Sequence, residues 1–211
     1  MIRTGLMQTG MRLFGVGVTL ALAACASAPL HYYTLVAPAG ESAGASAATN
    51  VPGLPFELLP VSVPAQVDQP QLVVRQGGQG VALLNGERWI APLADEVRGA
   101  LSADLARELR SQDVSGLPGN DKPLLRIKLD LRRFDSQPGS YALIEGNWSV
   151  HVLHGGHDRT LACSSRISET VGPGYDALVQ GHQRAIQQLA GQIAAVAYSL
   201  GAGQVAACPA F

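Results

Sequence analysis

The chain has 211 residues and a nearly balanced charge, with 15 lysines and arginines against 16 aspartates and glutamates and a net charge of −1. Nucleic-acid binding requires a basic surface, so this balance predicts no nucleic-acid partner. The length suits one domain with a sizeable hydrophobic core.

The first stretch of the chain is typical of a signal peptide. Residues 13–24 are apolar or small, Arg3 and Arg12 precede or flank them, and no acidic residue occurs before Glu41. About a dozen apolar residues suit the h-region of a signal peptide and are too few to cross a bilayer as a helix. The sequence leaves open which of the three early methionines starts the chain.

Leu22-Ala23-Ala24-Cys25 resembles the processing site of bacterial lipoproteins. The resemblance implies cleavage between Ala24 and Cys25, removal of residues 1–24, and acyl chains such as palmitate on Cys25. Two or more acyl chains hold a protein durably on a membrane, whereas one gives marginal binding. Ala26 occupies the position where an aspartate would mark inner-membrane retention, which implies outer-membrane sorting with the protein facing the periplasm. The alternative is an ordinary secretory signal with a chance cysteine.

Residues 25–211 are predicted to form a single periplasmic domain. Aromatic and β-branched residues at 31–36 predict a first strand. Residues 37–55 follow, are rich in Ala, Ser, Gly and Pro and carry one charge. Such a composition buries little surface, so this stretch is predicted to be flexible.

Short apolar runs after this stretch predict further strands. One lies at 56–63, between two prolines. The runs at Gln71–Arg75 and 80–84 flank a Gly-Gly pair and predict a hairpin. Asn85-Gly86 predicts a second turn directly after it.

Two long segments, 89–110 and 175–200, show the apolar repeat of amphipathic helices. In the first, Pro92 suits the first turn, and Asp95 and Glu96 suit the positive end of the helix dipole. Between the helices, three segments alternate apolar and polar side chains and predict an antiparallel meander with one polar face: 124–134, 141–153 and 159–169.

This order of elements predicts an α+β fold. We expect a two-layer sandwich in which two long helices pack on one face of a mostly antiparallel sheet. The prediction follows because the meander has one polar face and one apolar face, and the apolar stripes of the helices need a partner.

Three cysteines occur in the chain, and acylation of Cys25 would leave Cys163 and Cys208. Two cysteines in an oxidising compartment can pair. The loop closed by this disulfide would contribute about 4 kcal/mol in the chain-entropy model, less any strain. The alternative is two separate thiols, with Cys163 buried in a strand.

His154 and His157 flank a Gly-Gly turn and are the candidates for a metal pair, since imidazole binds Zn²⁺ and Cu²⁺. Their spacing is not diagnostic, so the prediction is no metal and no cofactor. His182 falls on the apolar stripe of the second helix and is predicted to be a core residue. The serines beside Cys163 form no nucleophile elbow, and the glycines at 76–80 lie in a hairpin instead of opening a helix.

Four motifs occur in order after the signal peptide and cover most of the mature chain: Tyr32-Tyr33-Thr34-Leu35, Leu59-Pro60-Val61-Ser62-Val63-Pro64, Asp68-Gln69-Pro70-Gln71-Leu72-Val73-Val74-Arg75 and Glu87-Arg88-Trp89-Ile90-Ala91-Pro92-Leu93. Together they resemble the ABC-type transport auxiliary lipoproteins of the PqiC/YmbA type. The residue types themselves favour scaffold roles. Asp68 and Pro70 are typical of a turn, and Trp89 suits a bulky packing position before a helix.

The resemblance implies a non-enzymatic, outer-membrane-anchored subunit of a system that moves lipid or other hydrophobic molecules between two membranes and supports envelope integrity. The implied partners are an MCE-domain protein and an inner-membrane transporter component. A homo-oligomeric ring at the end of the conduit is a further hypothesis. Two alternatives stay open: an outer-membrane assembly or envelope-integrity lipoprotein with another partner, and a periplasmic hydrolase or metal-binding protein.

Overall fold

The computed structural model describes residues 29–38, 53–119, 121–154 and 159–210. The fold lies in the unit that begins at His31. The described elements, in chain order, are β1 (His31–Tyr33), β2 (Phe56–Leu58), β3 (Gln71–Arg75), β4 (Val81–Trp89), α1 (Leu93–Leu109), β5 (Leu124–Gln137), β6 (Tyr141–Leu153), β7 (Arg159–Thr170) and α2 (Tyr175–Gly201). Of the predicted flexible stretch 37–55, only the two ends fall within the described residues.

These strands lie in two sheets, with the orders β1-β4-β3 and β2-β5-β6-β7. Each sheet contains one parallel pairing, β1 with β4 and β2 with β5, and the remaining pairings are antiparallel. The predicted α+β fold with two long helices is confirmed. The strands form two sheets, whereas one was predicted. The second sheet was missed because its parallel pairing joins segments far apart in the chain, and such a pairing has no local sequence pattern.

The strands β5, β6 and β7 form the predicted antiparallel meander, and buried side chains alternate along each of them. The β5–β6 register shifts between Leu131 and Arg133. Gly146 lies opposite this irregularity, and a Cβ there would be 2.9 Å from the carbonyl oxygen of Asp130. The close approach of the two backbones therefore requires glycine.

The ladder of β2 stops at Leu58, five residues before the end of the predicted strand. Pro60 and Pro64 have no N–H to donate to a ladder. The chain still follows β5 beyond Leu58. The Ser62 N–H donates to the Leu129 carbonyl at 3.4 Å, and the Leu131 N–H donates to the Ser62 carbonyl at 2.9 Å.

The helix α1 begins at Leu93, four residues after its predicted start. Trp89 ends β4 instead, because it pairs with Tyr33 in the parallel ladder. Pro92 has φ −50° and ψ 138° and makes the transition from extended chain to helix. The second helix, α2, matches its predicted span to within one residue.

The hairpin of β3 and β4 turns at residues 76–80, as predicted, and the Gln76 N–H donates to the Gly80 carbonyl at 3.0 Å. The second turn predicted at Asn85-Gly86 is wrong, since both residues lie inside β4. Leu84 pairs with Leu72 and Arg88 pairs with Gln71. The residues between Leu84 and Arg88 therefore form a bulge that lets β4 continue to its pairing with β1.

The helix α2 lies against the meander and also packs against α1. Buried side chains from both helices and from the larger sheet form one core. Contact between α2 and β6 is close at Gly181, where a Cβ would be 2.3 Å from Val171 Cγ1 and 2.9 Å from Ala142 Cβ. This helix therefore sits against the sheet at a distance that only glycine permits.

Candidate functional site

The predicted lipid-attachment site, Ala24-Cys25, lies outside the described residues, so cleavage and acylation remain predictions. Among the described helices, none is both long and apolar enough to cross a membrane.

Beyond the predicted anchor, the first described strand is fixed to β4 by a carboxylate. The Tyr33 hydroxyl donates to Glu87 Oε2 at 2.7 Å, and His31 Nδ1 lies 3.0 Å from Glu87 Oε1. Hydrogen bonds from His31 and Tyr33 lower the pKa of Glu87. Burial and the adjacent Glu87 raise the pKa of Tyr33 above its ordinary value, so its hydroxyl stays a donor.

A second carboxylate fixes the chain just after β1. Glu96 in the first turn of α1 is buried, and its Oε2 accepts hydrogen bonds from the Thr34 hydroxyl and the Leu35 N–H, both at 2.8 Å. The sequence predicted a helix-dipole role for this residue. The structure adds a tertiary role, since hydrogen bonds to a carboxylate are among the stronger ones in proteins.

One surface feature is a groove on the outer face of the β3–β4 hairpin, which we call the hairpin groove. It has a volume of about 280 Å³. Val81 is 54% exposed and Leu83 is 49% exposed, although both lie within a regular strand. The lining comprises residues from β3, β4, β5 and the preceding loop: Pro64, Gln66, Val67, Val73, Val74, Arg75, Val81, Leu83, Arg132, Arg133, Phe134 and Asp135.

Arginines surround this apolar groove. Arg75 binds Asp135 in a bidentate manner, with Nε–Oδ1 at 2.8 Å and Nη2–Oδ2 at 3.2 Å, and Arg133 Nη2 lies 2.7 Å from the same Oδ2. Burial opposes ionisation of Asp135, but hydrogen bonds from the two arginines outweigh it and lower the pKa. Arg132 Nη1 lies 3.4 Å from Asp130, and its side chain is 63% exposed. The lining therefore carries three arginines and one carboxylate.

Aromatic side chains fill the core beneath the groove. Phe134 stacks on the His182 ring at a centroid distance of 3.9 Å and meets Trp89 edge-on at 6.1 Å. His182 is fully buried, as predicted for a core residue, and its Nε2 lies 2.8 Å from Ser136 Oγ. Burial lowers the pKa of His182 to about 3, so the ring is neutral. Its Nδ1 has no hydrogen-bond partner among the described residues.

Only one of the two candidate metal-binding histidines falls within the described residues. His154 lies just beyond β6 with φ 56°, and His157 lies outside the described residues. Within the described ranges, no three side chains of His, Cys, Asp or Glu come together in a way that could hold a metal ion.

The two candidate cysteines are joined by a disulfide, with their Cα atoms 5.5 Å apart. Cys163 is buried on β7, whereas Cys208 lies in the tail that follows α2. The bridge therefore links the C-terminal tail to the last strand of the larger sheet.

The family motifs of the sequence meet around the junction of the two sheets. Trp89 is buried, and its backbone N–H donates to the Pro70 carbonyl at 2.9 Å. The N–H groups of Val67 and Asp68 both donate to the Pro64 carbonyl, which forms the turn before β3. These residues therefore serve the scaffold. The hairpin groove was not identified from the sequence, because its lining comes from segments as far apart in the chain as Pro64 and Asp135.

The fold is α+β, its first strand is fixed to β4, and the predicted acylation site precedes that strand in the chain. The chain belongs to the family of ABC-type transport auxiliary lipoprotein components, whose family model matches residues 33–194. The resemblance predicted from the sequence is thereby confirmed.

The chain is similar to solved structures, and the first of them supports the fold. One uncharacterised protein is 18% identical with a TM-score of 0.60, and the alignment covers 79% of this chain and 97% of that chain. A DUF330 protein from Xanthomonas campestris is 17% identical with a TM-score of 0.49, covering 71% of this chain and 85% of that chain. No curated protein matches the chain.

Proposed function

We propose that this protein is the outer-membrane lipoprotein subunit of an MCE-type, Pqi-like system that moves lipid or other hydrophobic molecules between the two membranes. The observation that carries the proposal is the family match over residues 33–194, since the family associates the chain with ABC-type transport. The order of the four motifs along the chain supports the finer assignment to the PqiC/YmbA type. Support for envelope integrity follows from this transport.

The anchor of the proposed subunit is an acylated Cys25 exposed by cleavage after Ala24. Two or three acyl chains would hold the protein durably at its membrane. Ala26 favours transfer to the outer membrane, where the domain would face the periplasm. We infer that residues 1–24 are removed and that residues 25–211 act as one periplasmic domain.

The proposed partners are an MCE-domain protein, which would form the conduit, and an inner-membrane transporter component at its other end. The larger sheet offers a polar surface for such contacts on the side away from α2. Ion pairs cover it, including Arg126 with Glu57 at 2.8 Å and Arg166 with Glu145 at 3.1 Å. A surface whose charges already pair within one chain suits reversible contacts, and a ring of several copies around the conduit end is part of the proposal.

We infer that the role is non-catalytic. The described groups with the largest pKa shifts are Tyr33, which is bound to Glu87, His182, which is sealed in the core, and Asp104, which is ion-paired with Arg107. A Gly-x-Ser-x-Gly pattern does occur at residues 40–44, outside the described residues. A nucleophile elbow directly follows a strand, whereas the described residues that lead to this pattern, 34–38, are not in a strand.

Crosslinking and recovery of the tagged, full-length protein from membranes tests the transport proposal, with Cys25→Ala as the matched control. We expect recovery of an MCE-domain protein with the wild type and loss of that recovery with Cys25→Ala, because the anchor places the subunit. If no transporter component is recovered with either form, the transport proposal is wrong. Recovery of an outer-membrane assembly factor instead would favour the alternative lipoprotein role.

A further inference from the structure

The outer face of the β3–β4 hairpin is apolar where other exposed strand faces are polar. On β7, all the exposed positions except Ala162 are polar or charged: Thr160, Ala162, Ser164, Arg166, Ser168 and Thr170. On β4, the exposed positions carry Val81, Leu83 and Asn85, and the two apolar residues are each about half exposed. Exposed apolar side chains that adjoin an apolar groove indicate a contact surface.

The direction of β1 relates this face to the predicted anchor. His31 pairs with Glu87, and β1 runs parallel to β4. The amino-terminal end of β1 therefore points along β4 towards Val81 and the tip of the hairpin. Six residue spacings separate Cys25 from His31, so chain length limits their separation to about 22 Å. The six spacings from Glu87 back to Val81 span about 20 Å of strand. An anchor at Cys25 is thus within reach of the hairpin.

The charged side chains at the groove favour a partner surface with negative charge. The lining has three arginines, Arg75, Arg132 and Arg133, and one carboxylate, Asp135. Two further carboxylates lie beside it, Asp130 at 3.4 Å from Arg132 and Glu145 at 3.9 Å from Arg133. Arg132 is the most accessible of them, with a side chain 63% exposed. Guanidinium groups bind phosphate oxygens well, and basic residues near a membrane are attracted to anionic lipid headgroups.

From these observations we propose that the hairpin groove rests on the surface of the membrane that holds the acyl chains of Cys25. Val81 and Leu83 contact the boundary between headgroups and acyl chains, and Arg132 contacts the phosphates of anionic phospholipids. This inference rests on the acylation of Cys25 included in the proposed function, and it does not depend on the MCE partner. It assigns the domain a fixed orientation, with the hairpin towards the membrane.

The test is fluorescence quenching on the full-length, acylated protein in vesicles. An environment-sensitive dye is attached to Leu83→Cys, and Leu117→Cys is the matched control. Leu117 is also apolar and is 63% exposed, but it lines a cavity that includes Leu124 and Leu153, at the opposite end of β5 from the groove. The vesicles contain phosphatidylethanolamine and about 30% phosphatidylglycerol, with a spin label on a fraction of the headgroups. The lipid ratio is a design choice that supplies anionic surface charge.

We expect headgroup quenching at position 83 to exceed that at position 117 at least twofold. The excess should shrink by at least half with Arg132→Ser or in vesicles of phosphatidylcholine alone. Equal quenching at both positions would overturn the inference. A second result would also overturn it: the dye at position 83 is shielded from aqueous iodide but is not quenched by lipid, and the protein crosslinks to a second copy at this face. The groove would then be a subunit interface.

Mass spectrometry of the same preparation keeps this inference separable from the proposed function. An acylated protein with equal quenching at the two positions overturns the membrane contact and leaves the transport role standing. Strong quenching at position 83 without recovery of an MCE-domain protein overturns the transport role alone. If no acyl chain is found on Cys25, the proposed anchor is wrong, and the proposed membrane contact, which rests on it, is wrong as well.

Discussion

On the larger sheet, the apolar side chains of β5, β6 and β7 face the core, and alternate exposed positions are mostly polar. On the hairpin of the smaller sheet, Leu72 and Val74 are buried in the same way, yet the opposite face carries Val81 and Leu83. Core packing therefore accounts for the larger sheet and for only one face of the hairpin. The other face carries two half-exposed apolar side chains and is the face proposed above to contact the membrane.

The sharpest test of this comparison replaces a strand leucine in each region. Leu129→Ala on β5 removes a fully buried side chain and should lower the free energy of unfolding by about 2–5 kcal/mol, through lost burial and the cavity left behind. Leu83→Ala on the hairpin should change it by no more than about 0.5 kcal/mol. Urea unfolding followed by circular dichroism measures both. Similar losses for the two variants would show that the hairpin face is part of the folding core.

The disulfide gives the larger sheet a covalent tie to the C-terminal tail. Replacing both cysteines, as Cys163→Ala with Cys208→Ala, should lower the free energy of unfolding by up to about 4 kcal/mol, because the unfolded chain regains the entropy of a loop with a sequence separation of 45. Thermal unfolding measures the loss, and wild type treated with a phosphine reductant is the control. A double variant as stable as the oxidised wild type would contradict the prediction.

Two carboxylates, Asp104 on α1 and Asp135 at the hairpin groove, should affect stability in opposite directions as the pH rises. Burial raises the pKa of Asp104 on α1 to about 6 despite the adjacent Arg107, so its stabilising contribution is full below about pH 4 and is lost as the pH rises to 6. At the groove, the lowered pKa of Asp135 means a contribution that is present above about pH 4 and lost in acid.

Variants separate these two contributions. Relative to Asp104→Asn, the wild type should lose up to about 3 kcal/mol of unfolding free energy between pH 4 and pH 7. Relative to Asp135→Asn, it should gain stability as the pH rises from 3 to 5. Urea titrations at pH 3, 4, 5, 6 and 7 measure both differences, and slopes of the same sign for the two variants would contradict the assignment.

The smallest predicted effect concerns two glycines on α2. Gly181→Ala places a Cβ against the stiff side chain of Val171 and should destabilise the protein by about 1–3 kcal/mol. Gly191→Ala meets no described atom within 4 Å and should stabilise it by about 0.5–1 kcal/mol, because alanine favours a helix. Chemical unfolding of both variants measures the two changes. If Gly181→Ala stabilised the protein as much as Gly191→Ala, α2 would not be closely packed at Gly181.

Much of the fold could be predicted because its longest elements carry strong periodic patterns. The alternation from Leu124 to Thr170 and the apolar stripe of α2 both specify secondary structure within single segments. The parallel pairings of β1 and β2 could not be predicted, since three-residue strands have too little pattern to show a distant partner. Asn85-Gly86 was misleading because turn residues also occur at bulges.

The candidate site was less predictable than the fold. Glu96 matched a local rule for helix starts, and only the tertiary structure shows that it binds the chain after β1. Arg75 and Asp135 are sixty residues apart, so their bidentate pair has no sequence signature. His182 was correctly placed in the core from its helical position, but its stacking on Phe134 depends on how α2 meets β5.

The fixing of β1 has a mechanical consequence. Since β1 and β4 run parallel, tension on the chain upstream of His31 acts along the strand axis and loads the ladder and the Glu87 contacts in shear, together instead of one after another. Glu96 holds Thr34 and Leu35 immediately downstream and passes the remaining load into α1. A domain tethered through its amino terminus would thus carry force through its first helix and core.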